Sequence, residues 1–529
     1  RLLKGGSMET RSIKGFTGGL GSLLLILIVI CPITSPLWIQ DCAYTTYSVS
    51  NDEKSLSESN EDTKTPCTTF RMRESSLGET FGDQRLFWYV DASISEYVQM
   101  LATLLSVGNY CYVYMANDTI ELLGQTESIA KCDALRLSFD LQIYLKAIEI
   151  AGYPEGRYGD IDGDPKVTLF LAPLVRLMGQ AYLGYYLIEN EDPNFPYSNT
   201  REMVYVDSEQ SINDTICTTI HEFNHLIWGN NELDEAQFLT EGLANYAVDY
   251  TGYYSWVTDA VTTSFTNYPE ISLLYFNRIY GPLWDASYGQ AYLFAVYLGE
   301  RFGNDFLRNL VFTLEDGAQA IDVVLAEAGY DITFNELYLD WITACVIDNP
   351  YILDGKYGFQ SVDYLINKLT HFYQLPNEWP DVTHYYYGFD VKKILHPPDT
   401  FTILIENPFP YSLGMSIVVN DNNGTTVTQK LYSENSDLIV EYISGTNILE
   451  CYIITSLMSA TTPTFYGVVG GLDDLPSVNL DFKFIEGDYN PLEQTSEVSY
   501  DFLTFIIIFA STNIYFVLKR RRKNSIKVK

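Results

Sequence analysis

The sequence predicts an α+β fold, with a mixed region of helices and strands at about 86–350 and an all-β, sandwich-like region at 351–483. In the first region, apolar residues recur at helical spacing, as in the run from Ile216 to Ile227. In the second, short β-prone runs alternate with clusters of Asn, Asp, Gly and Ser. The 529 residues, of which 47% are hydrophobic, are enough for two packed domains.

Each predicted element follows from local periodicity. Helices are predicted at 96–105, 132–150, 211–229, about 235–249, 288–302, 305–313, 318–328 and 334–347. Strands are predicted at 110–115, 167–171, 401–405, 415–419, 438–442 and 451–455. The change after 351 from helices to strands predicts a domain boundary there.

One pentapeptide, His221-Glu222-Phe223-Asn224-His225, indicates a metal centre. On a helix His221 and His225 share a face, so both imidazoles can bind one Zn²⁺, while Glu222 lies about 100° round the helix, where it can act on a water. Two histidines at this spacing also occur by chance on surface helices. The apolar flanks and the presence of only five histidines in the chain favour the metal site.

A catalytic zinc needs a third protein ligand and one open position. Glu241, in the run from Phe238 to Asn245, supplies a carboxylate shortly downstream and completes a set of two histidines and one glutamate. The alternative pattern, with a third histidine six residues after the second, fails because Asn231 stands there.

These residues resemble the gluzincin metallopeptidases, and most closely the hyicolysin-like family. The resemblance covers about 85–350 and is supported by further segments at 87–90, 109–114, 160–167, 202–207 and 287–294. It implies a thermolysin-like, two-lobed peptidase domain. It also implies that Tyr288, at the start of a helix, donates to the oxyanion of the tetrahedral intermediate, although 42 tyrosines make a purely structural aromatic stripe a real alternative. In gluzincins an acidic residue one turn after the ligand glutamate supports a ligand histidine, and Asn245 occupies that position here.

Three aspartates precede the strand predicted at 167–171. Asp160, Asp162 and Asp164 occupy positions 1, 3 and 5 of a loop, as at the start of a calcium loop. The rest of the pattern departs from an EF-hand, because Leu171 stands where the bidentate glutamate belongs. Two interpretations stay open, a Ca²⁺ site and a turn capped by aspartates, and they are compatible with each other.

The two ends of the chain predict export and anchoring. Residues 1–39 read as a signal peptide or signal anchor and 40–85 as a flexible leader. Residues 484–501 read as a linker, 502–518 as a transmembrane helix and 519–529 as a basic cytoplasmic tail. The chain is therefore expected to be a single-pass protein of the cell membrane, with its bulk extracellular and its C-terminus cytoplasmic.

Charge and cysteine content agree with an extracellular chain. The formal net charge of −36 argues against nucleic acid as a partner. Seven cysteines lie outside the N-terminal apolar run, and Cys111–Cys132 is the first pairing to expect, although spacing does not determine connectivity. Glycosylation acceptor motifs begin at Asn117, Asn213 and Asn423.

The expected function is that of a membrane-anchored, outward-facing zinc peptidase that acts on proteins or peptides, and we expect it to be an endopeptidase. Zn²⁺ on His221, His225 and Glu241 would activate a water, with Glu222 as general base. Two alternatives remain: a cell-surface adhesion or structural protein with a non-catalytic peptidase-like scaffold, and a zinc hydrolase of substrates other than peptides.

Overall fold

The structure is a computed structural model. It describes residues 78–489 except 92–93, 95, 158, 179–182, 407–410 and 434–437. Among these residues, none of the helices combines the length and the apolar character needed to cross a bilayer. The predicted signal segment at 1–39 and the predicted transmembrane helix at 502–518 lie outside the described residues, as do the linker and the basic tail beyond 489.

The chain folds into two compact units. Unit 1 runs to Lys368 and also contains Thr461–Leu475, whereas unit 2 contains Leu369–Ala460 and the chain from Pro476 onward. The change of unit therefore falls at 368 rather than at the predicted boundary of 351, and a short segment of the later chain returns to unit 1.

Unit 1 is built on a mixed six-stranded sheet. Its strands are β1 (Gln84–Asp91), β2 (Glu96–Val107), β3 (Cys111–Ala116), β4 (Val167–Ala172), β5 (Gly184–Tyr186) and β6 (Met203–Asp207). The strand order is β1-β2-β3-β4-β6-β5, in which β3, β4 and β6 are parallel and the others join antiparallel. A second, parallel pair joins β7 (Tyr275–Asn277) to β16 (Gly467–Val469) in the returning segment.

Helices form the rest of unit 1. They are α1 (Asn117–Leu123), α2 (Gln125–Ser138), α3 (Tyr144–Ile150), α4 (Leu174–Met178), α5 (Ile212–Gly229), α6 (Gln237–Tyr250), α7 (Trp256–Asn267), α8 (Pro282–Phe302), α9 (Asn304–Phe312), α10 (Gly317–Glu327) and α11 (Phe334–Ile347). A π-helical turn, Phe139–Ile143, joins α2 to α3, and 3₁₀ turns lie at Ile188–Glu191, Leu353–Gly355 and Leu472–Asp474.

Unit 2 is a β-sandwich. Its strands are β8 (Thr370–Phe372), β9 (Asn377–Tyr385), β10 (Phe389–Leu395), β11 (Thr400–Glu406), β12 (Ser412–Asp421), β13 (Gly424–Tyr432), β14 (Leu438–Ser444), β15 (Glu450–Met458) and β17 (Ser477–Glu486). They form a five-stranded sheet of order β13-β12-β15-β10-β8 and a four-stranded sheet of order β14-β11-β17-β9. Buried side chains of both sheets, such as Ile417, Ile453, Ile403 and Phe482, share one core. The predicted α+β class is confirmed at this level.

One predicted helix is wrong. Residues 96–105 form part of strand β2, which pairs with β1 on one side and β3 on the other. Short apolar runs fit either period, and here two neighbouring strands supply the backbone partners that select the extended form.

The expected disulfide between Cys111 and Cys132 is also wrong. Both residues are buried with free thiols, Cys111 on β3 and Cys132 on α2. Burial raises the pKa of the Cys132 thiol to about 12, so this thiol stays protonated and behaves as a small apolar side chain.

Candidate metal centre

Helix α5 presents the two histidines. Ser211 caps its N-terminus by accepting a hydrogen bond from the backbone N–H of Asp214, and the helix ends at Gly229. The residues from Thr215 to Trp228 are all buried, so the helix passes through the interior of unit 1. His221 and His225 therefore lie in a site from which most water is excluded.

Helix α6 brings the carboxylate. It packs against α5, and Glu241 lies in its second turn with 1% of its surface exposed. The next residue, Gly242, allows close approach to α8, since a Cβ there would lie 2.4 Å from the carbonyl oxygen of Ala291. This close contact with α8 helps to fix the position of α6 and so holds Glu241 at the site.

The three side chains converge on one point. The two Nε2 atoms of His221 and His225 are 3.0 Å apart. Oε2 of Glu241 lies 3.6 Å from Nε2 of His221 and 3.7 Å from Nε2 of His225. Zinc bonds of about 2.0–2.1 Å in a tetrahedron separate neighbouring ligand atoms by roughly 3.3 Å. The observed triangle fits such an ion, and Oε2 of Glu241 has no hydrogen-bond partner within the protein.

Asn245 supports this triangle from behind. Its Oδ1 lies 3.2 Å from Nδ1 of His221, and because an amide oxygen can only accept, Nδ1 carries the proton. The lone pair of His221 is then on Nε2, the atom that faces Glu241 and His225. An asparagine thus takes the orienting role without adding a third buried negative charge.

Glu222 lies beside the triangle in an unusual environment. Its side chain is fully buried and neither carboxylate oxygen has a hydrogen-bond partner in the protein. Gly184 of β5 packs directly on it, since a Cβ at Gly184 would lie 3.0 Å from Cγ of Glu222 and 2.5 Å from Cγ2 of Thr218. The end of the sheet therefore determines where the Glu222 carboxyl group stands.

Burial shifts the pKa of each of the four side chains, His221, Glu222, His225 and Glu241, in the direction that favours its neutral form. Desolvation raises the pKa of Glu222 and of Glu241 well above the ordinary value, and the charge of Glu222 adds to the shift at Glu241. Desolvation lowers the pKa of His221 well below its ordinary value and that of His225 to about 3. Neutral imidazoles are the form that binds metal, and a divalent cation would favour the ionised carboxylates.

Tyr288 lies on α8, but it does not open that helix. The helix begins at Pro282, so Tyr288 is in its second turn. Its ring is buried against Phe276, at 4.8 Å between ring centroids, and Trp284, at 6.1 Å. These contacts fit a packing role, and its oxyanion role stays a prediction.

A second group of carboxylates differs from the expected calcium set. Asp160 and Asp162 approach Glu202, which stands just before β6, whereas Asp164 accepts a hydrogen bond from the Tyr112 hydroxyl at 2.7 Å. The aspartate-capped turn is present, since Asp160 accepts from the Gly163 N–H at 2.6 Å. Asp164 was thus the wrong third residue. Glu202 could not have been chosen from the sequence, because it is distant along the chain and joins the loop only through the pairing of β4 with β6.

Comparisons with known proteins identify no family. No protein-family model and no curated protein matches the chain. Among solved structures, aminopeptidase A of Legionella pneumophila is 10% identical, with a TM-score of 0.32 over 70% of this chain and 36% of that one. Tripeptidyl peptidase 2 is 11% identical, with a TM-score of 0.17 over 24% of this chain and 11% of that one. CorA, a surface-associated copper-binding protein of Methylomicrobium album BG8, is 4% identical, with a TM-score of 0.16 over 22% of this chain and 98% of that one. Likenesses of this size decide neither fold family nor activity, so the function is argued from the residues.

Proposed function

We propose that the chain is a zinc-dependent peptidase with the ligand set of the gluzincins that it resembles in sequence. The observation that supports this most strongly is the triangle of donor atoms on His221, His225 and Glu241, with sides of 3.0, 3.6 and 3.7 Å. Such a set leaves one tetrahedral position for water or substrate. The same three residues in a purely structural role would have no reason to direct their donor atoms at a common point.

Zn²⁺ at this site would supply a water of lowered pKa and polarise the scissile carbonyl group. Glu222 takes the proton of the attacking water and passes it to the leaving amine. Its position suits this task, because a carboxylate without hydrogen-bond partners in a dry site has a raised affinity for protons. Asn245 keeps His221 in the tautomer that binds metal.

Strand β5 supports a peptide as the substrate. It is the last strand of the six-stranded sheet, and Gly184 within it touches Glu222. An edge strand of a sheet can bind an extended peptide through main-chain hydrogen bonds. A peptide bound there would lie alongside the general base, whereas a compact non-peptide substrate would gain nothing from this edge.

We further propose that the peptidase faces outward on a membrane. The support is the uncharged stretch at 502–518 followed directly by the basic run at 519–523. The strong negative charge of the rest of the chain fits an extracellular domain.

The decisive experiment compares two substitutions in the full-length protein. Glu222→Gln should keep one zinc per chain and lose at least about 10²-fold in peptide cleavage, because only proton transfer is removed. His221→Ala should lose the zinc itself. Metal content by mass spectrometry and digestion of a peptide library measure both. Undiminished cleavage by Glu222→Gln would refute the proposal.

A second candidate is a cell-surface adhesion protein in which the metal domain is a scaffold. Unit 2 favours it, because this unit is a β-sandwich with a complete core of its own and, within its described part, no group of potential metal ligands. The digestion of a peptide library also distinguishes the peptidase from the adhesion protein. Stoichiometric zinc in the wild type without cleavage of any library peptide would support the scaffold.

A further inference from the structure

The carboxylates of Asp160, Asp162 and Glu202 form a compact group in unit 1, separate from the zinc ligands. One oxygen from each of the three lies within 4.8 Å of the other two. Asp160 and Asp162 stand in the loop before β4, and Glu202 stands just before β6. The group therefore joins a surface loop to the central sheet.

Glu202 separates this group from an ordinary acidic surface. Its residue is only 4% exposed. Its Oε1 accepts the backbone N–H of Ile161 at 3.1 Å, which directs the carboxyl group into the loop, while its Oε2 is buried without any hydrogen-bond partner in the protein. A buried carboxylate oxygen left in this state destabilises the fold, because it has lost its hydration without gaining a partner in the protein. A bound cation would remove that destabilisation.

The charge balance around Glu202 points the same way. The carboxyl groups of Asp160, Asp162 and Glu202 lie close together, so like charges face one another within the group. Arg201 is the basic residue whose ion pairs reach the group, but its Nη2 is 3.8 Å from Asp162 and 2.9 Å from Glu79. The guanidinium group is thus directed at Glu79, and several carboxylates are left with little compensation.

We propose that Asp160, Asp162 and Glu202 bind one Ca²⁺ ion. Calcium accepts irregular sets of carboxylate oxygens and completes its shell of six to eight ligands with carbonyl groups and water, whereas magnesium requires a near-ideal octahedron. Three carboxylates from two separate chain segments, one of them a loop, suit the larger ion.

The bound ion would also stabilise the end of the helix that carries the histidines. The loop docks on Asn230, which follows the last residue of α5: the Arg157 N–H donates to the Asn230 carbonyl at 2.8 Å, and the Asn230 side chain donates to the Pro154 carbonyl at 2.8 Å. Tying Asp160 and Asp162 to Glu202 therefore holds this loop against α5. The Ca²⁺ site does not depend on the proposed peptidase activity.

Calcium titration of the full-length protein tests the site. The protein is freed of divalent ions, reloaded with one equivalent of zinc and titrated with Ca²⁺ alone, while thermal unfolding and isothermal titration calorimetry are recorded. Saturation at 100 times the Kd should raise the Tm of unit 1 by roughly 4 °C. Ca²⁺ should also slow hydrogen exchange in peptides covering 153–165.

Matched substitutions identify the ligands. Glu202→Gln and Asp160→Asn should each weaken calcium binding at least about 10-fold, because each removes a charged ligand. Asp164→Asn makes the same chemical change in the same loop, but its carboxylate is engaged by Tyr112, so it should keep the wild-type Ca²⁺ affinity. Far-ultraviolet circular dichroism and zinc content check that each variant is folded. The proposal is overturned if wild type shows no calcium-dependent shift, or if folded Glu202→Gln responds to calcium as wild type does.

Discussion

The hydrogen bond between Asn245 and His221 offers a quantitative test of the metal centre. In Asn245→Leu, which keeps the branching of the side chain, the Nδ1–H of His221 loses the acceptor oxygen of Asn245. The loss occurs in a buried site, since Asn245 is only 3% exposed. Loss of such a support weakens metal binding by about 10–100-fold, or about 1.4–2.7 kcal/mol. Asn245→Asp retains an acceptor oxygen and should stay close to wild type.

Zinc affinity is best measured by competition with a chromogenic chelator at constant pH. Asn224→Leu is the matched control, because Asn224 is fully buried on the same helix as His221 and neither of its side-chain polar atoms has a hydrogen-bond partner in the protein. Replacing this side chain by leucine removes no hydrogen bond to His221, so it separates the loss of the Asn245 support from the general effect of a buried apolar substitution. A folded Asn245→Leu protein that binds zinc within twofold of wild type would refute the orienting role of Asn245.

Three further outcomes are expected. Gly184→Ala should displace Glu222 and reduce kcat by about 10²-fold with zinc retained. Gly467→Ala is the control, because its strand has room for a Cβ, and it should leave kcat unchanged. An equal loss of kcat in both variants would contradict the proposed contact between Gly184 and Glu222. Tyr288→Phe should lower kcat by roughly 10²-fold at constant KM if its hydroxyl serves the oxyanion, and an unchanged kcat would leave it a packing residue. Desolvation lowers the pKa of buried His384 in unit 2 from 6.5 to about 4, so the unfolded chain takes up the proton first as pH falls and stability is lost between about pH 6.5 and 4. Calorimetry should show a smaller decrease of Tm over that range in His384→Gln, and an identical decrease would exclude His384 as the cause.

The metal ligands could be predicted from the sequence because their spacing is local. His221 and His225 are one helical turn apart, and Glu241 follows on the next helix, so helix geometry alone brings the first pair together. The third ligand, Glu241, followed from the need of a catalytic zinc for one more protein ligand and from the carboxylate shortly downstream. The side chains that position these groups were harder to predict, since Gly184 reaches Glu222 from a short strand that has no clear sequence pattern.

The parts of the fold that could not be predicted from the sequence depend on the pairing of strands that are distant along the chain. Helix α11 was predicted with its observed bounds, Phe334–Ile347, because its capping box and apolar period are local signals. Strand β2 was mistaken for a helix because its pairing with β1 and β3 is not visible in its own residues. The segment Thr461–Leu475 was placed in the β-rich region for the same reason, since only its pairing with β7 assigns it to unit 1.

Some buried carboxylate oxygens have no hydrogen-bond partner in the protein, and the stability of the fold does not explain why carboxylates stand at these positions. In unit 1 both oxygens of Glu222 and one oxygen each of Glu241 and Glu202 are buried without hydrogen-bond partners in the protein. Each costs free energy that a stable fold would avoid by an apolar substitution, so these side chains are better explained by something they bind. The unpaired oxygen of Glu241 lies 3.6 Å from Nε2 of His221, Glu222 follows His221 on α5, and the carboxyl group of Glu202 lies beside Asp160 and Asp162. The two cation sites would each satisfy some of these oxygens, and loading both sites should stabilise unit 1 more than loading either one alone.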